Sequence, residues 1–475
     1  MTDQLSAADL PRTSEPTFRR IPVLLMLVTC QLMLVIDATV LNVALPHIQN
    51  DLGFTSTGLS WVVNAYILVF GCLLLLGGRA GDLFGRRRVF VAGVAVFTSA
   101  SLAAGLVDSA SALVIARVVQ AIGAAAAGPN ALALITTTFT KEEDRHWSLA
   151  WFSAIASGGF PIGLIVGGLF TDWLSWRAAM FINVPIGLAI ALLTPRLVPA
   201  PTRHAARLDL PGAITATGGV AALIFGLLRA AERGWSDGLT IAALGIGLVL
   251  VAAFLVIESR TGQPLMPLRV FADRDRAAAY VITFLMAMAM ISTFFFLTQF
   301  LQNVLGWNPL VTGFAFLPMA LGLVVTSRLT ARLLPRFGTK WLMITGTSLI
   351  AIGMVTLTQL STDSGYLSGL LVPMLLLGMG IGFTFSTANV AIMSTVEAQD
   401  AGAAGGVLQT MQEVGSSVGL AVLITVFGFA TGHARVLPHG LLVDGMATAF
   451  VGAAVFAACG IAVAFGFRHR QSADT

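Results

Sequence analysis

Runs of about twenty apolar residues recur along this whole chain, and that recurrence limits its fold more than any single motif does. Fourteen of them begin near Ile21, Leu59, Val89, Ala110, Ser148, Ala178, Leu208, Gly238, Ala277, Pro309, Trp341, Tyr366, Ala403 and Gly445. At about 1.5 Å of rise per residue, each run is long enough as a helix to cross a hydrocarbon layer of about 30 Å. Only 11% of the 475 residues are charged and the mean hydropathy is +0.87, whereas a soluble domain carries about 25% charged residues. The expectation is an all-α polytopic membrane protein with fourteen transmembrane helices.

The basic residues orient these spans. Alternate connections hold Arg79/Arg86/Arg87/Arg88, Lys141/Arg145, Arg196/Arg203/Arg207, Arg260/Arg269/Arg274/Arg276 and Arg328/Arg332/Arg336/Lys340. The tails, with Arg12, Arg19, Arg20, Arg468 and Arg470, fall in the same set, while the opposite connections hold only Arg177, Arg229, Arg233 and Arg435. Basic residues accumulate on the cytoplasmic side, so both termini are expected there. One inside connection departs from this pattern, carrying Glu397 and Asp400 and no basic residue. All eight tryptophans fall near span ends, as interfacial anchors do. The scarcity of lysine and abundance of Ala, Gly and Arg hint at a GC-rich bacterial genome, and hence at a bacterial cytoplasmic membrane.

The net charge of +4 reflects this loop bias and not a nucleic-acid surface. Cys30, Cys72 and Cys459 all lie inside apolar runs, which argues against a disulfide framework or a metal site. The run after Arg20 is too long for a signal peptide, and no small-residue cleavage site follows it, so it is expected to be a retained first span. No GxxxxGK[ST] nucleotide loop and no HExxH string occur, so neither ATP drive nor zinc-peptidase chemistry, nor any cofactor, is expected.

An internal repeat gives the domain plan. Leu83-Phe84-Gly85-Arg86-Arg87 returns as Arg336-Phe337-Gly338-Thr339-Lys340, with Gly93 and Gly346 at matching distances behind. Two homologous bundles related by duplication follow. The plan is a cytoplasmic tail over 1–20, a six-helix bundle over 21–200, an inserted helix pair over 201–260, a linker and second six-helix bundle over 261–467, and a tail over 468–475. Asp209 before Pro211 suits the N-cap and first turn of the first inserted helix.

Acids inside spans are where chemistry is expected. Asp37 interrupts the first apolar run, and an acid at such a position costs about 3 kcal/mol on insertion scales, so it faces protein or a water-filled cavity. It is either a structural acid or a site that handles protons or cations. Arg117, in the fourth span, lies about 10 Å from that span's outer end, and Asp37 about 13 Å from the outer end of its own. Similar depth makes them partners, either as a permanent ion pair or as an acid and the cation that tunes it. Glu413 lies about 16 Å into the thirteenth span, near the midplane. It reads as a second protonation site, a contact for a cationic substrate, a protonated acid that hydrogen-bonds as glutamine would, or a quiet buried acid.

The string Gly78-Arg79-Ala80-Gly81-Asp82-Leu83-Phe84-Gly85-Arg86-Arg87-Arg88 resembles the loop signature of the major facilitator superfamily. Asp37-Ala38-Thr39-Val40-Leu41-Asn42-Val43-Ala44-Leu45-Pro46 resembles the first-helix signature of its fourteen-span drug:proton antiporters. So do Trp176-Arg177 followed by Phe181-Ile182-Asn183-Val184-Pro185-Ile186-Gly187, and Asp400-Ala401-Gly402 with Gly415 and Gly419. The resemblance covers nearly the whole chain, with quaternary-ammonium and multidrug exporters as the nearest relatives. It implies the superfamily fold and proton-coupled efflux of an amphipathic, cationic drug. It implies Asp82 and Arg86 as a cytoplasmic latch between the halves, although Pro335 stands where Asp82 would recur. It also implies Arg117 as the coupling arginine.

Gly158 to Gly168 resembles the antiporter signature, with Gly163, Gly167 and Gly168 as its small residues. Leu164 replaces an expected proline, and Pro161 lies three residues before it. An amide is usual in the family where Glu413 stands. The family's cavity helices carry Asn42, Gln120, Phe294, Phe295, Phe296, Gln299, Phe383 and Phe385 here, and aromatic walls suit lipophilic cations. Transport of one metabolite or self-made antibiotic, or a receptor or enzyme that no longer transports, are the other readings.

Overall fold

The computed structural model describes residues 20–55, 58–139, 141–198, 209–262, 264, 266, 268–396, 401–432 and 438–467. Both tails, most of the connection before the inserted pair, and the Glu397 to Asp400 loop lie outside the described residues.

Fifteen α-helices are described. The N-terminal set is α1 (Arg20–Leu52), α2 (Ser60–Phe84), α3 (Arg86–Leu106), α4 (Ala110–Thr138), α5 (Glu142–Trp173), α6 (Trp176–Phe181) and α7 (Asn183–Leu197). The inserted pair is α8 (Leu210–Arg233) and α9 (Gly238–Arg260). The C-terminal set is α10 (Arg274–Gln299), α11 (Pro309–Ala315), α12 (Leu317–Leu357), α13 (Leu371–Met393), α14 (Ala401–Ala430) and α15 (His439–Phe465).

The helix starts follow local chemistry. Ser109, Ser175, Asp209, Asp237, Asp273 and Asn308 each accept a backbone N–H from the first turn of the helix they precede. Such caps satisfy donors that have no partner inside the helix. Pro211 and Pro309 add first-turn prolines, whose missing N–H costs nothing there.

Eleven helical stretches among the described residues are apolar and long enough to span a bilayer, and bent α2 makes a twelfth. One of the eleven, Pro309–Leu357, is two spans: Gly338 breaks it at φ 72° and ψ 170°. The apolar part of α5, Pro161–Trp173, is short on its own and completes the set of fourteen. The sixth span is made of α6 and α7, continuous through Ile182, which has helical dihedrals (φ −59°, ψ −32°).

The helices of each half pack mainly among themselves. α1 lies against α4, α5 and α7, and α3 against α4 and α7. Equally, α12 lies against α13 and α15, and α10 against α13, α14 and α15. Lipid tails are as apolar as leucine, so close van der Waals packing at small residues does much of this work. A Cβ on Gly93 would lie 2.8 Å from the Gly123 carbonyl oxygen, and one on Gly346 would lie 3.0 Å from that of Gly380. The repeat seen in the sequence is therefore a repeat of backbone contact. Gly85 matches Gly338 as well, each at a positive φ (99° and 72°) that side chains disfavour.

The halves meet at the end away from the termini. The α10 helix closes in a π-helical turn over Phe300–Val304, from which Gln302 Nε2 donates to the Val43 carbonyl of α1 at 2.7 Å. A Cβ on Gly168 would lie 2.6 Å from the Pro309 carbonyl oxygen, and one on Gly313 would lie 2.6 Å from that of Leu164. On the other seam, Ser417 of α14 and Asn64 of α2 share a 3.1 Å hydrogen bond. The inserted helix α8 touches both α2 and α14, through a Trp61–Phe225 ring contact and a 2.9 Å bond from Thr425 Oγ1 to the Leu227 carbonyl.

Candidate functional site

Asp37 and Arg117 meet inside the N-terminal half. The Arg117 Nη1 to Asp37 Oδ2 distance is 2.8 Å, with the two side chains 2% and 0% exposed. The same Nη1 donates to Gln120 Oε1 at 2.6 Å, and Nε donates to the Val62 carbonyl at 3.3 Å. The guanidinium stacks over Tyr66, 4.1 Å from the ring centroid. The other carboxylate oxygen, Oδ1, accepts from Gln120 Nε2 at 2.7 Å and from Asn183 Nδ2 at 2.8 Å. Both amides also donate to Ser101 Oγ, at 3.2 and 3.0 Å, and Ser101 donates to the Met180 carbonyl at 2.9 Å.

Each member arrives on a different element: Asp37 on α1, Tyr66 on α2, Ser101 on α3, Arg117 and Gln120 on α4, Asn183 at the start of α7. Gln120 sits one helical turn after Arg117, so both face α1. The sixth span keeps helical geometry through Ile182 (φ −59°, ψ −32°), and Asn183, 1% exposed, faces inward from it. A buried pair of charges is tolerated only when further hydrogen bonds satisfy it, and here both carboxylate oxygens are occupied. Gln120, expected at the substrate cavity, belongs to this cluster. Asn183 lies within a motif string that does not set it apart from its neighbours; Ser101 and Tyr66 carry no motif signal.

Glu413 is half-buried on α14 and accepts from Gln409 Nε2 at 2.7 Å, one turn earlier on the same helix. It faces Gly71 of α2, where a Cβ would lie 2.5 Å from the Glu413 Cβ. Tyr66 lies within electrostatic reach of Asp37, Arg117 and Glu413 alike. The second acid therefore stands on the seam between the halves, outside the closed Asp37 cluster.

Asp82 and Arg86 form a partly exposed ion pair of 2.9 Å across the Gly85 turn. Arg86 also donates to the Ala133 carbonyl at 3.3 Å, and Arg87 to that of Val198 at 2.9 Å. All these partners lie in the N-terminal half. The contact running toward the other half comes from Arg79, which donates to the Pro264 carbonyl of the linker at 3.3 Å.

The antiporter-type glycines have a steric reason. A Cβ on Gly163 would lie 1.8 Å from Thr39 Oγ1, and one on Gly167 would lie 2.8 Å from the Val40 Cα, so α5 presses against α1 beside Asp37. Gly168 faces the Pro309 turn of the other half instead.

The aromatic residues expected at a cavity wall are mostly packing residues. Phe294, Phe295 and Phe296 are each at most 2% exposed; Phe296 packs on Phe427 and Phe450, and Phe294 on Phe316. Phe296 thus reaches α14 and α15, and Phe294 the junction of α11 and α12, inside the C-terminal half. Phe383 is likewise buried at 6%, Phe385 is half-buried, and Gln299 accepts from Asn303 at 3.3 Å. Asn42 donates to the Ala38 carbonyl of its own helix at 3.2 Å.

Trp176 and Arg177, another motif pair, act as a staple at the end away from the termini. Trp176 Nε1 donates to Asp51 Oδ2 at 2.9 Å, and Arg177 pairs with the same carboxylate while donating to the Val107 carbonyl at 3.2 Å. This ties the ends of α1 and α3 to the start of α6.

Known proteins bear on this arrangement. A profile of the Major Facilitator Superfamily matches residues 27–420. The puromycin resistance protein pur8 of Streptomyces alboniger is 41% identical over 443 residues, spanning 91% of this chain and 88% of that protein. The cephamycin export protein CmcT of Amycolatopsis lactamdurans is 38% identical over 96% of this chain and 94% of its own. The tetracenomycin C resistance and export protein of Streptomyces glaucescens is 34% identical over 85% and 75%. Among solved structures, a peptide transporter superposes with a TM-score of 0.68 at 13% identity, covering 94% of each chain. A bacterial homologue of the lysosomal transporter Spinster gives 0.67 at 16% identity, covering 95% of this chain and 97% of that one. The chain therefore belongs to the major facilitator superfamily, as a fourteen-span transporter related to its drug-resistance exporters.

Proposed function

We propose that this protein expels an amphipathic, positively charged drug or antibiotic across the bacterial cytoplasmic membrane in exchange for protons, by alternating access between its two halves. Asp37 carries the proton, Arg117 balances its charge, and Glu413 is an auxiliary acid reachable by a cationic substrate. Asp82 and Arg86 steady the cytoplasmic loop, and both termini lie in the cytoplasm. The observation that carries this reading is the Asp37–Arg117 pair, fully buried and bound on both carboxylate oxygens. An acid at that depth is expensive, and such acids mark proton and substrate pathways.

With cytoplasmic termini, the contacts at Gln302, Gly168 and Gly313 close the outer end. Export then requires these contacts to part.

The test uses everted membrane vesicles energised to an acidic interior. Ethidium addition should dissipate the proton gradient in the wild type and leave it intact in Asp37→Asn, with that variant still monodisperse in detergent. Gradient loss undiminished in Asp37→Asn would remove the acid from the mechanism. A second reading, transport of one antibiotic, is favoured by the puromycin, cephamycin, tetracenomycin and lincomycin in the relatives' names. Puromycin alone dissipating the gradient, with ethidium inert, would select it.

A further inference from the structure

The hydrogens in the Asp37 cluster have little freedom. Ser101 gives its hydroxyl hydrogen to the Met180 carbonyl, so toward Gln120 and Asn183 it can only accept. Each amide must therefore present its NH2 group there, and those same groups reach Asp37 Oδ1. Gln120 is fixed at its other end too, because its Oε1 is taken by Arg117. Asn183 is not: its Oδ1 is buried and has no hydrogen-bond partner among the described residues. Every group contacting Asp37 in these bonds is a donor, an arrangement suited to a carboxylate and hostile to a carboxylic acid, whose hydroxyl needs an acceptor.

We propose that Asn183, oriented by Ser101, is a positioning residue that locks Asp37 as an anion, and that reversal of the Asn183 amide is the local change that admits the proton. This rests on the reading of Asp37 as the proton carrier. In the step, a hydronium ion in water gives its proton to Asp37 Oδ1; one O–H bond breaks, another forms, and water is left. The new hydroxyl donates to Asn183 Oδ1, which the reversal has brought to face it, and Ser101 swings its hydroxyl hydrogen from the Met180 carbonyl to that same oxygen. Departure of the proton restores the NH2 to the carboxylate. Gln120 cannot take this part without abandoning Arg117.

The charged and titratable groups around Asp37 are few. Arg117 faces it from α4, Tyr66 from α2 beneath the guanidinium, and Glu413 from α14 beyond Tyr66. Cys30 lies on α1 itself, whereas α3 and α7 contribute Ser101 and Asn183, which do not titrate.

The test needs no substrate. Infrared difference spectra of the detergent-purified full chain are recorded across pH, and the carboxylic-acid band absent from Asp37→Asn is assigned to Asp37. Asn183→Ala removes a charge-assisted bond from the anion and a weaker neutral one from the acid, so the acid form should persist to higher pH. The band's midpoint should move alkaline by about one pH unit, the size expected for the difference between a charge-assisted and a neutral hydrogen bond. Ser101→Ala should move it the same way by less, and Ser101→Thr, which keeps the hydroxyl, should restore the wild-type midpoint. Unmoved midpoints in both alanine variants would overturn the lock while leaving Asp37 as the carrier. A spectrum with no band lost in Asp37→Asn would overturn the carrier and the lock together. Should Asn183→Ala fail to fold, the Ser101→Ala and Ser101→Thr pair decides the matter alone.

Discussion

The two halves repeat one scaffold and fill it with opposite contents. Gly85 and Gly338 make the same turn, and Gly93 on Gly123 is answered by Gly346 on Gly380. Inside the N-terminal half that scaffold encloses an ion pair, two amides and a serine; inside the C-terminal half it encloses Phe294, Phe295, Phe296, Phe427 and Phe450. Backbone spacing is thus compatible with either filling, and chemistry has been placed on one side. Glu413, the acid that α14 carries at membrane depth, faces the seam and not its own bundle.

The contrast can be broken most sharply at Arg117. Arg117→Leu strands a buried carboxylate and should cost about 3–5 kcal/mol, seen as a large fall in the detergent melting temperature. Adding Asp37→Leu should recover most of that stability without restoring transport. On the other side, Phe294→Leu keeps a buried apolar side chain and should cost less than about 1.5 kcal/mol; equal losses in the two halves would undo the contrast.

The shared scaffold makes a matched pair of predictions of smaller size. A Cβ on Gly123 would meet the Phe97 nitrogen at 2.4 Å, and one on Gly380 would meet the Gly346 carbonyl oxygen at 2.7 Å. Gly123→Ala and Gly380→Ala should each cost about 1–3 kcal/mol by overpacking. Gly85→Ala and Gly338→Ala should each cost about 1–2 kcal/mol because their φ is positive. A large inequality within either pair, by thermal melting, would show that the repeat is one of sequence and not of packing.

The smallest effect belongs to neither half. At the α8–α9 turn, the hydrogen bond from Arg229, aided by the Thr240 amide, holds the Asp237 carboxyl below its ordinary value. A carboxylate favoured in the folded state stabilises at neutral pH and loses that contribution as pH falls through its lowered value. Asp237→Asn should therefore lower the melting temperature slightly at pH 7 and match the wild type in strong acid.

The span pattern is legible in the sequence because lipid demands one apolar run per crossing, and the Asp37–Arg117 pairing because equal depth and opposite charge leave few partners. The Asn183 and Ser101 contacts are not, since they arise where α7 and α3 cross, and no local spacing encodes that crossing. The phenylalanines mislead for a related reason: composition tells that α10 is aromatic, and only its neighbours decide whether those rings meet cargo or each other. Gln120 reads as a cavity residue and is a member of the buried cluster, though its spacing of three from Arg117 already puts both on one side of α4.

Helix α8 lies across the line where the bundles meet, bonded by its Leu227 carbonyl to Thr425 of α14 and leaning by Phe225 on Trp61 of α2. If the two bundles tilt against each other, as the proposed exchange requires, α8 cannot stay still with respect to both. The polar tie would carry α8 along with the C-terminal plate, while the aromatic contact, having no fixed partner atoms, lets Trp61 glide beneath it. The insertion would then act less as an added wall than as a bearing, setting the direction in which the plates are free to tilt.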